Sequence, residues 1–236
     1  MIAALFPRFN ASAAPDSKDI ACILSSPNEM LCISHHLKVL TSHGLHGPLA
    51  EFGCFKGFSS ACLSHACHEL GMQLHVFDSF AGLPPSASAY YQSGDFAGSF
   101  DEVSQNIRSL GRIDHVRFFR GFFSATVASY QETPVAIWMD VDLASSAQDV
   151  MQLLPRLSPA SLVFTHECHP QNFVGGEVMA PSGPDSVLPP ILAGFSSRGS
   201  QPVGTFLCGD TGAIWDHDRG LPPLGIDAIA ALCDAV

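Results

Sequence analysis

Charged side chains are scarce in this chain: Asp, Glu, Lys and Arg make up 14% of its 236 residues, and 11 Lys and Arg face 22 acids. Nucleic-acid surfaces need clustered cations to displace condensed counterions, so a formal net charge of −11 argues against that class of partner. Long apolar runs are missing as well. No stretch approaches the roughly 20 apolar residues of a membrane helix. The apolar opening from Met1 to Phe6 is too short for a secretory signal and lacks a basic segment before it. Cysteine pairs at metal-binding or redox spacing are absent too. Cys22, Cys32, Cys54, Cys62, Cys67, Cys168, Cys208 and Cys233 form no CxxC and lie scattered through apolar runs, as free thiols of a reducing cytosol would. These absences predict a cytoplasmic protein that touches neither membrane nor nucleic acid.

What is present suits one α/β domain. With 47% hydrophobic residues the chain can bury a sizeable core without a metal or a disulfide. Residues 1–25, with Pro7, Pro15 and alternating Ala and Ser, read as an N-terminal arm and a candidate element of homo-oligomer assembly; residues 26–236 read as the single domain. Ser26-Pro27-Asn28-Glu29 has the form of a capping box with proline at the first helical position, and Met30, Ile33, Leu37 and Leu40 follow at helical spacing up to Gly44. From Pro48 the rhythm becomes strand, turn, helix. Strands are expected at Leu49 to Phe52, Leu74 to Asp78, His115 to Phe119, Val135 to Met139 and Leu162 to Thr165. Helices are expected from Ser59 to Leu70, from the Ser99-Phe100-Asp101-Glu102 capping box to Gly111, from Ser146 to Leu157, and from Val187 to Phe195. Val203 to Leu207 and Ala213 to Trp215 flank Gly209-Asp210-Thr211-Gly212, a hairpin signal. Alternating strands and helices imply a parallel sheet with right-handed crossovers, closed here by an antiparallel pair.

Such sheets bind ligands at the carboxyl ends of their strands. The first strand-to-helix turn is Glu51-Phe52-Gly53-Cys54-Phe55-Lys56-Gly57-Phe58-Ser59, an E-x-G-x-x-x-G pattern rather than the G-x-G-x-x-G of dinucleotide enzymes. Two glycines four apart allow a close backbone approach, although a tight loop explains them equally well. Asp78, at the end of the second strand, can accept hydrogen bonds from a ribose diol of an adenosyl or a nicotinamide ligand. The fourth strand runs into Asp140-Val141-Asp142 and the fifth into Thr165-His166-Glu167-Cys168-His169. Each alone is an ordinary loop. On neighbouring strands the two clusters would form an active-site rim able to bind a cation, accept a proton or face a substrate amine.

In this order the pieces resemble the macrocin O-methyltransferase family, which methylates sugar hydroxyls in natural-product pathways. The resemblance runs from about Ser26 to His169, with a looser match through the terminal hairpin. Its most specific segments are Glu51 to Ser59, Phe77-Asp-Ser-Phe-Ala-Gly-Leu-Pro84 and Gly98 to Val103. Val116 to Phe123, Asp140 to Leu143 and Leu157-Ser-Pro159 continue it. The resemblance implies a Rossmann-like fold: a seven-stranded, mostly parallel sheet with a C-terminal antiparallel hairpin and helices on both faces. It implies S-adenosylmethionine as cofactor. Glu51, Gly53 and Gly57, followed by Ser59, would hold its methionine end; Asp78 and Ser79 would take the ribose; Ser99 and Gly121-Phe122-Phe123 would border the adenine, where an aromatic face can stack on the base.

The family also holds magnesium, with an aspartate after strand four and an aspartate pair after strand five. Asp140 matches the first, whereas His166 and Glu167 replace the pair. Magnesium prefers oxygen ligands, so a site made of Asp140, His166 and Glu167 would suit manganese, iron or zinc better; alternatively the site is metal-free with His166 as base. The expected activity is methyl transfer to a hydroxyl of a small molecule, a sugar or secondary metabolite, with Asp140 preparing the hydroxyl and His166 or His169 assisting. The loop from Pro84 to Gly98, carrying Tyr90, Tyr91 and Phe96, is a candidate substrate lid. Two rivals stand beside this reading. One is a relative that binds the cofactor but runs different or metal-independent chemistry; the other is a nicotinamide oxidoreductase, which should show the tighter glycine pattern.

Overall fold

A computed structural model describes residues 27–158, 161–167, 172–174, 177–178, 183–197, 206–208 and 213–215. The proposed arm, Ser26, Cys168, His169 and the 209–212 turn lie outside those residues. Helix α1 (Pro27–Ser42) precedes β1 (Leu49–Phe52), α2 (Phe58–Glu69) and β2 (Leu74–Asp78). Next come α3 (Phe100–Leu110), a 3-10 turn (Ile113–His115), β3 (Val116–Arg120), α4 (Phe123–Ser129) and β4 (Ala136–Met139). The chain continues through α5 (Ala144–Met151), a 3-10 turn (Leu154–Arg156) and β5 (Leu162–Thr165). A two-stranded ribbon, β6 (Phe173–Val174) with β7 (Glu177–Val178), leads to α6 (Leu188–Ser197), β8 (Phe206–Cys208) and β9 (Ala213–Trp215).

Seven strands form one sheet in the order β3-β2-β1-β4-β5-β8-β9. All neighbours are parallel except β8 and β9, which pair antiparallel as the hairpin signal implied. The order reverses direction between β1 and β4, and the crevice above such a switch point is where open α/β sheets place their ligands. The long expected helix from Ser146 to Leu157 is instead an eight-residue helix followed by a 3-10 turn, because Pro155 has no N–H to continue an α-helix.

Strands β1, β2, β4 and β5 are buried throughout, as both faces of the sheet are covered. On one face α1, α2 and α3 press Met30, Ile33, Leu37, Leu63, Val103 and Ile107 onto Leu49, Leu74, Trp138 and Phe164. On the other, Val127, Val150, Leu154 and Ile191 cover Ala50, Phe52, Phe77 and Ile137. Parallel register sets Phe52, Phe77 and Phe119 side by side, and their rings stack at 4.5 and 4.4 Å between centroids. This ladder locks the three strands whose ends carry the first glycine turn and Asp78.

Candidate active site

The first turn is held by its own neighbours. Gly53 has φ of 83°, and a Cβ there would lie 2.1 Å from the carbonyl oxygen of Asp140. The backbone N–H of Asp140 in turn donates to the Phe52 carbonyl at 3.0 Å. Gly53 is therefore required first by the packing of the turn on the end of β4. Gly57 caps α2 in the left-handed region with φ of 87°, which frees the helix entry from any side-chain cap. Asp78 ties the turn to β2: one carboxylate oxygen accepts from the Cys54 N–H at 2.8 Å and the other from the Phe80 N–H at 2.7 Å. The Cys54 thiol and the Phe55 N–H also bond to this carboxylate, so the turn itself takes up most of its accepting capacity. Burial pushes the Asp78 carboxyl up from its ordinary range, and the Cys54 and Phe80 donors pull against it.

Glu51 lies fully buried beneath this turn. The Ser59 hydroxyl donates to one carboxylate oxygen and the Ser60 hydroxyl to the other at 2.6 Å. Its carboxyl is pushed up to about 8: burial is the main cause, the serine donors oppose it, and the charges of Asp140 and Asp78 add to it. Ser59 thus serves Glu51, and Ser60 was not among the residues expected there. Ser79 donates to the Gly82 carbonyl at 2.7 Å and shapes its own turn. Ser99 accepts from the Glu102 N–H at 3.2 Å, capping α3 as expected. After β3, the Gly121 N–H donates to the Asp78 carbonyl at 2.9 Å, so this segment adjoins the acid. Phe122 is 43% exposed, whereas Phe123 turns inward and packs edge-on against Phe52 at 5.5 Å. Of the two rings expected to border an adenine, Phe122 is the one open to a ligand.

A second group of side chains gathers beyond β4 and β5. His166 Nδ1 meets Glu29 Oε1 at 2.8 Å, joining the end of β5 to the fully buried Glu29 in the first turn of α1. Burial by itself would lower the His166 pKa; the Glu29 bond and the charges of Asp140, Glu29 and Glu167 overcome it and raise it to about 10. Asp142 is pushed up to about 7, by burial first and then by Asp140. Glu167 rises to about 8 for the same two reasons, with Asp142 adding to them. The Tyr91 hydroxyl lies against Asp142, and burial and the charges of Asp142, Glu167 and Asp185 raise its pKa to about 12. One Asp185 carboxylate oxygen is buried with no hydrogen-bond partner among the described residues. The two expected clusters thus do converge, and the Pro84 to Gly98 loop reaches them through Tyr91, while Tyr90 is 84% exposed.

Three members of this group escaped the sequence. Glu29 read as half of a capping box whose other half, Ser26, lies outside the described residues, and its bond to His166 was not expected. Tyr91 lay in a candidate lid with no assigned role, and Asp185 carried no signal. Local pattern could not have found them, because their partners lie far along the chain.

The expected metal ligands do not close on a common point. Among the described residues, the grouping of three donors within 4.8 Å of one another is His68, Asp114 and His115; Asp140, His166 and Glu167 do not form such a grouping.

The family model for macrocin O-methyltransferase (TylF) matches residues 12–170. Among solved structures, the O-methyltransferase NovP aligns with a TM-score of 0.52 and 24% identity, over 58% of this chain and 64% of that one. CalS11, a calicheamicin methyltransferase, gives 0.48 and 16% over 70% of this chain and 76% of its own. The SAH-bound methyltransferase PaMTH1 of Podospora anserina gives 0.49 and 14% over 69% and 60%. At these identities the likeness bears on the fold alone, and this chain spans less than two thirds of the length of NovP. No curated protein sequence matches the chain.

Proposed function

The chain belongs to the macrocin O-methyltransferase family, and from that membership we propose that it transfers the methyl group of S-adenosylmethionine to a hydroxyl of a small molecule, a sugar or another hydroxylated secondary metabolite. The proposed cofactor seat is the crevice above β1 and β2. Glu51, Gly53 and Gly57 border the methionine end, Asp78 takes the ribose diol, and Phe122 offers its exposed ring to the adenine.

Asp140 carries this reading. Its backbone forms the joint with Gly53, and its charge acts both on Glu51 under the crevice and on Asp142, His166 and Glu167 in the cluster. A hydroxyl bound over the cluster would therefore lie beside the sulfonium methyl. The sulfonium methyl is already activated, so the protein's task is alignment and proton removal. In the proposed step the hydroxyl oxygen attacks the methyl carbon, the S–C bond breaks toward sulfur, and the hydroxyl proton passes to the Asp140 carboxylate. His166, held by Glu29, supplies a fixed positive charge beside the group. The donors at Asp140, His166 and Glu167 do not fit a resident divalent cation as they stand.

No helix among the described residues is long and apolar enough to cross a membrane. The test is to incubate the purified chain with S-adenosylmethionine and a panel of glycosylated and polyhydroxylated acceptors, and to measure S-adenosylhomocysteine by mass spectrometry. Turnover with at least one hydroxylated acceptor is expected. Absence of affinity for both forms of the cofactor in calorimetry would refute the proposal.

A further inference from the structure

We propose that His68, Asp114 and His115 form a structural binding site for a borderline divalent cation of the zinc type, remote from the crevice. His68 Nδ1 and His115 Nε2 lie 3.0 Å apart, and Asp114 Oδ2 lies 3.8 Å from that same His115 nitrogen. All three donor atoms fall within 4.8 Å of one another. Two nitrogens sharing a tetrahedral zinc at about 2.0–2.1 Å would stand about 3.3 Å apart, so the rings need to open by only a few tenths of an ångström.

A second bond prepares the pair. His115 Nδ1 contacts the backbone carbonyl of Met72 at 2.9 Å. A carbonyl only accepts, so Nδ1 carries the proton and Nε2 presents its lone pair toward His68; metal-binding histidines are oriented in this way. The His115 ring is largely buried and fixed, whereas His68 and Asp114 face solvent, which gives the ion an entry path. Without an ion, His68 Nδ1–H donates to His115 Nε2. On binding, that proton moves to the other nitrogen of His68, and both lone pairs turn to the cation. Two imidazoles and one carboxylate favour zinc, nickel or copper over magnesium or calcium.

Topology sets what the ion would do. Helix α2 starts at the carboxyl edge of the sheet with Gly57 and runs back, so its last turn with His68 lies at the amino edge. There the 3-10 turn carrying Asp114 and His115 opens β3. The ion would staple α2 to β3 at the end of the sheet opposite the crevice. It would stabilise the fold by binding the native state alone, and would leave cofactor binding unchanged.

The experiment titrates the full chain with zinc chloride by calorimetry and follows thermal melting. One equivalent is expected to bind and to raise the melting temperature. His68→Ala and Asp114→Asn should each weaken zinc binding at least tenfold and remove the thermal gain, with metal-free melting and S-adenosylhomocysteine affinity as in the parent. Undiminished zinc affinity in His68→Ala would put the ion elsewhere and overturn the site. So would the lack of saturable binding up to about 1 mM zinc, which leaves the pair as a plain hydrogen bond between rings.

Discussion

The crevice above β1 and β2 and the cluster beyond β4 and β5 are built on opposite plans. The crevice is made of near neighbours: Glu51 is held by residues eight and nine positions on, and Asp78 closes onto Cys54, 24 positions back. The cluster is assembled from afar. Glu29 and His166 lie 137 positions apart, and Tyr91 reaches Asp142 from a different loop. Near-neighbour geometry suits a ligand that is the same in every turnover. Long-range assembly suits a wall that can be rebuilt for a particular acceptor without disturbing the first.

That division can be broken at its joint. Asp140→Asn keeps the size and backbone contacts of the joint and removes the charge. Turnover should fall by about a hundredfold or more, with S-adenosylhomocysteine affinity changed by less than about threefold. Full turnover in this variant would erase the distinction between the two regions.

Glu51 tests the crevice side through pH. Its folded pKa of about 8 lies above the ordinary 4.5, so the native state holds an extra proton between those values. That stability is complete below pH 4.5 and is lost as pH rises through about 8. Glu51→Gln should flatten this part of the stability curve, a difference on the order of a few kcal/mol in denaturant melts taken at acidic and alkaline pH. A variant curve parallel to the parent's would mean that Glu51 ionises normally.

The third probe addresses the long-range plan. Glu29→Gln leaves a hydrogen-bonding partner for His166 but no charge. Turnover should drop about tenfold while cofactor affinity holds, with a loss of roughly 1–3 kcal/mol in stability. Loss of cofactor affinity in step with turnover would show the two regions to be one. The smallest effect is expected at Phe122→Ala, where losing a stacked ring should weaken S-adenosylhomocysteine by roughly 0.5–1.5 kcal/mol in calorimetry and leave kcat nearly intact.

The same contrast governs what could be read in advance. Strand and helix positions follow from apolar runs punctuated by Gly53, Gly71 and Gly111, and the hairpin follows from its turn residues. The crevice was legible because its parts occupy two short segments with fixed offsets. The convergence of Asp140 and Asp142 with His166 and Glu167 followed from strand adjacency. The Glu29 bond to His166 was not legible, because an acid that caps a helix and an acid that partners a distant histidine carry the same local pattern. The metal expectation came from family resemblance, and no sequence pattern shows how the Asp140, His166 and Glu167 side chains are spaced.

The contact between Gly53 and the Asp140 carbonyl, just past the end of β4, leaves no space for a methyl group. The spacing from donor to acceptor wall is consequently a property of the main chain, with no rotamer able to lengthen it. Under the proposed activity, redirecting the chain toward new alcohols means varying the tyrosine-bearing segment and leaving residue 53 alone. Any side chain there would push the two halves of the reaction out of reach of each other.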